Sequence, residues 1–232
     1  MLINTSENIE AIQKIAKALI PLGKEIVFVG GAVVSLYIND TAAEDVRSTK
    51  DIDITIEIVS YSELEIIQEN LRKLGFKQSA EDDVICRFRF EDIKVDVLST
   101  KAVGWAPSNS WFEAGFKNAI TLDLDDVTIK ILPLGYFMAT KLEAFCNRGI
   151  DDPLLSHDLE DIVYLLNYTT NIDEQINNGN EKVKHFIGSK LKEMINADLV
   201  REAMIASLYF HEAEERFEII KERIGKINSK IS

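Results

Sequence analysis

The stretch that decides the fold is IVFVGGAVVSLYINDTAAEDVRSTKDIDITIE, residues 26–57. Its opening run, Ile26–Val29, is apolar and predicts a buried strand that ends at Gly30 and Gly31, after which the pattern becomes helical. Two glycines at the end of a strand let the backbone come close to a phosphate, and a helix that begins there directs its N–H groups at the anion. Gly30 and Gly31 are therefore candidate phosphate-binding residues.

The same stretch leads into a second predicted strand, residues 51–58, which carries Asp51 and Asp53. Side chains two residues apart on a strand project to one face, so the two carboxylates are predicted to lie together. Like charges on one face repel each other, and a divalent cation relieves that repulsion and also attracts the phosphates of a nucleotide. A phosphate-binding turn followed by a metal-binding pair of acids is the arrangement that nucleotidyl transfer requires.

Asp96 is the candidate third carboxylate. Residues 84–90 and 93–98 alternate in the manner of a β-hairpin, and Asp96 lies on its second arm, on the face opposite Val95 and Val97. If this arm lies beside the strand of the acid pair, three acids on adjacent strands can hold two metal ions. The alternative interpretation is that Asp96 is one of many acids that face solvent.

Composition and charge limit the classes of function. The 232 residues, 46% of them hydrophobic and 28% charged, are typical of a globular protein with one large domain or two small ones. No apolar run reaches the roughly 20 residues of a membrane span. Cys86 and Cys146 have no metal-binding spacing, so we expect free thiols in a cytoplasmic protein. The net charge of −13 argues against extended binding of nucleic acid, whereas a short nucleic-acid end or a small or cationic acceptor remains compatible.

The hydrophobic periodicity changes after Pro133 from that of strands to that of helices. We therefore predict an α+β fold, with a mixed β-sheet core and flanking helices over residues 1–132 and a C-terminal helical domain over residues 133–232. Within the core, residues 101–117 are expected to form a loop-like insert. The helical domain is expected to end in one long helix over residues 198–227.

Six segments together carry a resemblance to a known superfamily: VGG at 29–31, RSTKDIDI at 47–54, VDV at 95–97, KLEA at 141–144, Arg148, and HDLEDI at 157–162. The first three resemble the core signature of the DNA polymerase β-like nucleotidyltransferase superfamily. With the last three, the pattern is most similar to AbiEii-type and related minimal nucleotidyltransferases, which are often toxins of bacterial toxin–antitoxin pairs. The resemblance implies that the mixed sheet is a nucleotidyltransferase core.

The resemblance also implies an activity and a set of site residues. The activity would be transfer of a nucleoside monophosphate from a nucleoside triphosphate to an acceptor hydroxyl, with two Mg²⁺ ions as cofactor and Mn²⁺ as a substitute. The catalytic and metal-binding residues would be Asp51, Asp53 and Asp96. The nucleotide-binding residues would be Gly30, Gly31, Lys141, Arg148 and Asp158.

Alternatives remain both for the roles of single residues and for the function of the whole chain. Lys141 and Arg148 would equally suit a solvated helix end, where positive side chains offset the helix dipole, and Asp158 would suit the first turn of a helix. The chain would otherwise be a non-catalytic nucleotide-binding module on the same fold, or a structural partner in which the glycines and acids coincide by chance. For an enzyme, the acceptor would be a tRNA 3′ end, a protein hydroxyl or a small molecule such as an aminoglycoside. A toxin would have an antitoxin protein as partner, and no membrane association is expected.

Overall fold

The computed structural model describes residues 2–49, 51–82 and 84–230, so Lys50 of the quoted motif lies outside the described residues. The chain divides into two compact units, the first formed by Met1–Ser35 with Asp45–Pro133 and the second by Leu36–Glu44 with Leu134–Ser232. The division between residues 132 and 133 that we drew from the sequence kept Leu36–Glu44 in the first domain. The structure groups this segment with the later helices instead.

The first unit is built on a mixed sheet. Its strands are β1 (Ile26–Val29), β2 (Asp51–Ile56), β3 (Arg87–Phe90), β4 (Ile93–Ser99), β5 (Ile120–Leu124) and β6 (Val127–Ile131). Among the described residues they form one six-stranded sheet in the order β3-β4-β2-β1-β6-β5. β2 is parallel to β4 and β1 is parallel to β6, while the other neighbours are antiparallel.

Side-chain parity gives the sheet one apolar face and one face that carries the acids. Ile52, Ile54 and Ile56 alternate along β2 with the residues of the acid face and are buried. The register pairs Ile54 with Phe28 of β1 and with Val97 of β4, so the apolar face continues across the neighbouring strands. Burying each such side chain contributes about 1.5–3 kcal/mol relative to leaving it exposed.

Helices α1 (Ile3–Leu19), α2 (Tyr61–Lys73) and α3 (Phe112–Lys117) complete the first unit. Ala16 and Leu19 of α1 line a cavity together with Phe28 of the sheet, which places α1 on the apolar face. We expected residues 101–117 to form a loop-like insert, but the structure has helix α3 within it. Phe112 and Phe116 are both buried, and their spacing of four residues puts them on one face of a helix, which explains why α3 forms.

The second unit is helical. Its helices are α4 (Leu134–Arg148), α5 (His157–Tyr168), α6 (Ile172–Asn177), α7 (Glu181–Asn196), α8 (Asp198–Ala206) and α9 (Ala213–Ser229). α4 packs against α5 and α7, and α9 packs against α5, α6, α7 and α8. The prediction of a single final helix is wrong, because the chain turns between α8 and α9. The turn lets both helices bury apolar residues against their neighbours.

Residues of Leu36–Glu44 contact the helices of the second unit at several points. The Tyr37 ring stacks on Phe137 of α4 with 4.6 Å between ring centroids. The backbone N–H groups of Asn39 and Asp40 both donate to the carbonyl of Tyr168 at the end of α5. The two residues of each contact are more than 95 positions apart in the sequence, so no local pattern indicates these contacts.

Two further expectations concern the whole chain. The predicted α+β class, with a mixed sheet and C-terminal helices, is confirmed. Cys86 and Cys146 are both free, as predicted. None of the helices within the described residues is long and apolar enough to cross a membrane.

Candidate active site

The three predicted acids lie on adjacent strands of the sheet. The parallel register pairs Asp53 of β2 directly with Asp96 of β4, and Asp51 lies two residues before Asp53 on the same face. The turn at the end of β1 is next to them, because Val29 pairs with Asp53. The structure therefore brings Asp51, Asp53 and Asp96 together, and their role in chemistry remains a prediction.

Gly30 lies against the carboxylate of Asp53. Its φ is +77°, a left-handed conformation that L side chains rarely adopt. A Cβ atom built at this position would approach Asp53 Oδ2 to 1.8 Å, which no real structure tolerates. The glycine predicted to approach a phosphate thus also makes room for the second acid of the pair.

Gly31 is constrained in a different way. A Cβ atom there would lie 2.2 Å from Nη2 of Arg47, so the guanidinium packs directly against the glycine backbone. The helical segment that begins at Gly31 is a 3₁₀ helix, Gly31–Tyr37, in which most side chains are buried. The turn therefore has a cationic side chain at one glycine and a carboxylate at the other.

Arg87 is a charged residue at this site that the sequence analysis did not single out. Its guanidinium donates to both oxygens of Asp96, from Nε at 2.7 Å and from Nη2 at 2.8 Å. Nη2 also donates to Asp51 Oδ2 at 2.8 Å. Only 14% of the Arg87 side chain is exposed, and the paired hydrogen bonds with Asp96 raise the pKa of Arg87 further above its ordinary value. Arg87 therefore remains charged and neutralises part of the acidic cluster.

A sequence signal for Arg87 did exist. In a hairpin whose turn is Glu91-Asp92, the residues equidistant from the turn face each other, which pairs Arg87 with Asp96. The predicted hairpin and its turn already contain this pairing. The additional contact with Asp51 depends on the pairing of β2 with β4, which connects segments far apart in the chain.

The acids have the chemistry of a magnesium site, although no such site is assembled in this conformation. Among residues 2–49, 51–82 and 84–230, no group of three or more His, Cys, Asp or Glu side chains is arranged to hold a metal ion. Carboxylate oxygens are nevertheless the ligands that Mg²⁺ takes in proteins. Asp51 Oδ1 is buried and makes no hydrogen bond within the described part of the chain, so its lone pairs remain available. The carboxylates are therefore suitable ligands for Mg²⁺, and in this conformation Asp51 and Asp96 bind the guanidinium of Arg87 instead.

Cys86 immediately precedes β3 and lies next to this cluster. Burial raises the pKa of the Cys86 thiol to about 11, and the negative charge of Asp96 adds to the shift. The thiol is therefore protonated at neutral pH, and the thiolate that a nucleophile requires is not formed. The structure offers no role for Cys86 in chemistry at the site.

The other predicted site residues form an ion cluster within the second unit. Lys141 of α4 is buried, and its ammonium lies 2.7 Å from Asp161 Oδ2 and 3.3 Å from Asp158 Oδ1 of α5. Arg148, one of whose nitrogens is 2.8 Å from Asp158 Oδ2, is 73% exposed. Lys141 is buried, so the alternative interpretation that it lies at a solvated helix end is wrong. Asp161, which the sequence analysis placed in the motif but not in the site, belongs to this cluster.

The fold and the grouped acids now define a class. The mixed sheet, with a glycine turn at the end of β1 and acids on β2 and β4, has the arrangement that the sequence predicted for a nucleotidyltransferase core. A solved structure with this fold is an antigenic nucleotidyltransferase-like protein from Paracoccidioides brasiliensis, which has 16% sequence identity and a TM-score of 0.51. The similarity covers 89% of this chain and 97% of that chain.

The chain belongs to the AbiEii family. The family model described as "Nucleotidyl transferase AbiEii toxin, Type IV TA system" matches residues 16–224. The resemblance found in the sequence is therefore confirmed, and the protein is a nucleotidyltransferase.

Two further solved structures are similar at a lower level. The antibiotic-resistance factor ANT(2'')-Ia in solution has 16% identity and a TM-score of 0.45, with 82% of this chain and 94% of that chain covered. The complex of ANT(2'')-Ia with adenylyl-2''-tobramycin has 17% identity and a TM-score of 0.45, with coverage of 80% and 97%. A search of curated proteins gave no significant match.

Proposed function

We propose that this protein transfers a nucleoside monophosphate from a nucleoside triphosphate to an acceptor hydroxyl in a reaction that depends on Mg²⁺. The observation that carries the proposal is the direct pairing of Asp53 with Asp96 on parallel strands, with Asp51 on the same face. Gly30 and Gly31 lie at the adjacent strand end, where backbone N–H groups can donate hydrogen bonds to phosphate oxygens. This combination supports phosphoryl chemistry better than a structural role for the acids.

Each acid has a proposed role. Asp51 and Asp53 would hold both Mg²⁺ ions, and Asp96 would hold the ion nearer to the attacking oxygen and accept a hydrogen bond from the acceptor hydroxyl. When bound, Mg²⁺ would neutralise the developing charge on the phosphates and favour the ionised form of the hydroxyl. The acceptor hydroxyl releases its proton to water, a bond forms between its oxygen and the α-phosphorus, the bond from the α-phosphorus to the bridging oxygen breaks, and pyrophosphate leaves.

The nucleotide-binding residues of the proposal also include Lys141, Arg148 and Asp158 in the second unit. The buried carboxylates of Asp158 and Asp161 hold the Lys141 ammonium in one position, which supports a positioning role for these two acids. Arg148 is the more exposed of the two cations and so the more accessible to a triphosphate. An Arg side chain also matches phosphate geometry with paired hydrogen bonds.

The proposed biological role is that of a toxin whose activity an antitoxin protein controls, and the family name supports it. With a net charge of −13, the protein is not suited to extended contacts with nucleic acid. A short tRNA end, a protein hydroxyl and a small molecule remain the acceptor classes in this proposal. We propose the cytoplasm as the site of action, where nucleoside triphosphates are available.

The activity is tested by incubating the protein with Mg²⁺, cell extract and a nucleoside triphosphate labelled either at the α-phosphate or at the γ-phosphate. Nucleotidyl transfer moves only the α-label into an acceptor, whereas a kinase would move the γ-label. Asp53→Asn should abolish transfer, because it removes a carboxylate that the proposed Mg²⁺ ions need as a ligand. Asp123→Asn is the matched control, since Asp123 and Asp125 have the same spacing but lie on the β5–β6 hairpin.

Incorporation of the γ-label but not the α-label above the level of extract alone, or full activity of Asp53→Asn, would refute the proposal. The toxin role needs a separate test, in which wild type and Asp53→Asn are expressed from an inducible promoter. Growth arrest by wild type alone is expected. An active enzyme that leaves growth unchanged would refute the toxin role and retain the activity.

A further inference from the structure

Arg87 occupies the position of a cation among the acids of the candidate active site. It contacts three of the four carboxylate oxygens of Asp51 and Asp96, and one nitrogen, Nη2, is shared between the two side chains. The fourth oxygen, Asp51 Oδ1, is buried and has no hydrogen-bond partner in the described part of the chain. Arg87 is therefore the cation that directly bridges the carboxylates of Asp51 and Asp96.

A divalent ion would compete with the guanidinium for these oxygens. Both are cations that stabilise the same pair of carboxylates, and the two would repel each other strongly in a partly buried site. The burial of Arg87 matters here, because only 14% of the side chain is exposed and solvent screens the repulsion poorly. Binding of a divalent ion to the contacted oxygens is therefore disfavoured while Arg87 keeps its hydrogen bonds to them.

Arg87 affects the binding of free Mg²⁺ and of a Mg²⁺–triphosphate complex differently, because the two species have opposite net charge. A free Mg²⁺ ion carries two positive charges and meets the guanidinium as a like charge. A complex of Mg²⁺ with a nucleoside triphosphate carries a net negative charge, so Arg87 attracts it. The same residue can therefore disfavour the free ion and favour the complex.

We propose that Arg87 is a displaceable counter-ion that holds Asp51 and Asp96 together in the nucleotide-free protein and suppresses the binding of free divalent ions. Arg87 leaves Asp51 when the metal enters with the triphosphate. This inference rests on the proposed metal-dependent function. It adds that metal and nucleotide bind together, and that Arg87 is a positioning residue of the reaction.

The test is metal affinity in the absence of nucleotide. Mn²⁺ binding to the full chain is measured from the paramagnetic resonance signal of the free ion, for wild type and for Arg87→Met. Removing one charge next to the site should tighten Mn²⁺ binding by about ten-fold or more. Asp53→Asn introduced into Arg87→Met should return the affinity to that of wild type, which assigns the gain to the acid cluster.

Arg89→Met is the matched control. Arg89 lies on the same strand and makes the same paired contact, with both of its hydrogen bonds to Asp82 at 2.8 Å, but it does not contact Asp51 or Asp96. It should bind Mn²⁺ as wild type does. Arg87→Lys keeps one charge without the planar fork of donors, so it should give an intermediate affinity and serves as a milder variant.

Stability gives a second readout that does not depend on activity. Without metal, Arg87→Met should melt at a lower temperature than wild type, because the acids are left to repel each other. Mn²⁺ should raise the melting temperature of Arg87→Met more than that of wild type, because it replaces the missing cation.

Equal Mn²⁺ affinities for wild type and Arg87→Met, with tight binding by both once a non-hydrolysable triphosphate is added, would overturn this inference and keep the metal-dependent function. If neither protein binds Mn²⁺ even with the triphosphate, the metal-dependent function itself is refuted, and the inference falls with it.

Discussion

Lys141→Met is expected to destabilise the second unit strongly, because it removes the ammonium between two buried carboxylates. Methionine keeps most of the length of the lysine stem, so the loss of packing is small. Breaking a buried ion pair by removing one partner costs about 3–5 kcal/mol. Arg148 still contacts Asp158 in the variant, so we expect the lower end of this range, about 3 kcal/mol.

Lys184→Met provides a control with the same chemical change. Lys184 of α7 is also buried and lies 2.8 Å from Glu181, but the Glu181 side chain is 70% exposed. Its carboxylate therefore returns to water when the lysine is removed. The free energy of unfolding should fall by less than about 1 kcal/mol.

Urea unfolding followed by circular dichroism measures both variants. Asp161→Asn is then added to Lys141→Met, and the double variant should recover about 2 kcal/mol, because one buried charge is no longer left without the ammonium. If Lys141→Met costs no more than Lys184→Met, or if the double variant recovers nothing, the cluster does not hold its charges in the way that the distances imply.

The double variant also separates stability from nucleotide binding. It lacks the ammonium but retains most of the charge balance of the cluster. A contact between Lys141 and the triphosphate predicts that a non-hydrolysable triphosphate binds the double variant more weakly by about 1–3 kcal/mol. An unchanged affinity, measured by calorimetry on the folded variant, would assign Lys141 a structural role alone.

Two further predictions follow from the geometry of the first unit. Gly30→Ala should cost more stability than Gly23→Ala and should abolish transfer. Both glycines have positive φ, but only an alanine at position 30 would place its Cβ atom against Asp53. Backbone strain alone costs about 1–2 kcal/mol, and equal losses in urea unfolding would contradict the predicted clash. The raised pKa of Cys86 also predicts a pH effect, since the thiol has its ordinary pKa of 9.0 in the unfolded chain and a pKa of about 11 in the fold. Its contribution to stability is complete below the first value and lost as pH rises towards the second, so Cys86→Ala should show a smaller decline between these values, and an unchanged decline would contradict the reasoning.

Much of the candidate site follows from local sequence. Strand parity places Asp51 and Asp53 on one face, and the turn at Glu91-Asp92 puts Arg87 opposite Asp96. The first result needs only the two-residue period of a strand, which is a property of the backbone, and the second also needs the position of the hairpin turn. The same rule explains why the α+β class could be predicted.

Local sequence patterns do not predict where a helix begins when residues far away in the chain form hydrogen bonds with its end. The N-terminal turn of α1 is an example, because its N–H groups at Asn4 and Thr5 donate to the carboxylate of Asp45, about 40 residues later. The division of the last helical segment into α8 and α9 is not predicted either. The apolar spacing of residues 198–227 suits a continuous helix, whereas the structure has two helices that both pack against α7.

The sequence by itself determined which residues share a face of a strand or a helix, because the periods of the backbone are the same in every protein. Only the tertiary structure decided that Asp53 and Asp96 are neighbours, that Arg87 reaches Asp51, and that Lys141 lies between two acids of α5. These contacts depend on which strand pairs with which and on how α4 packs on α5. Burial of apolar surface sets those choices, and it acts between segments that no local pattern connects.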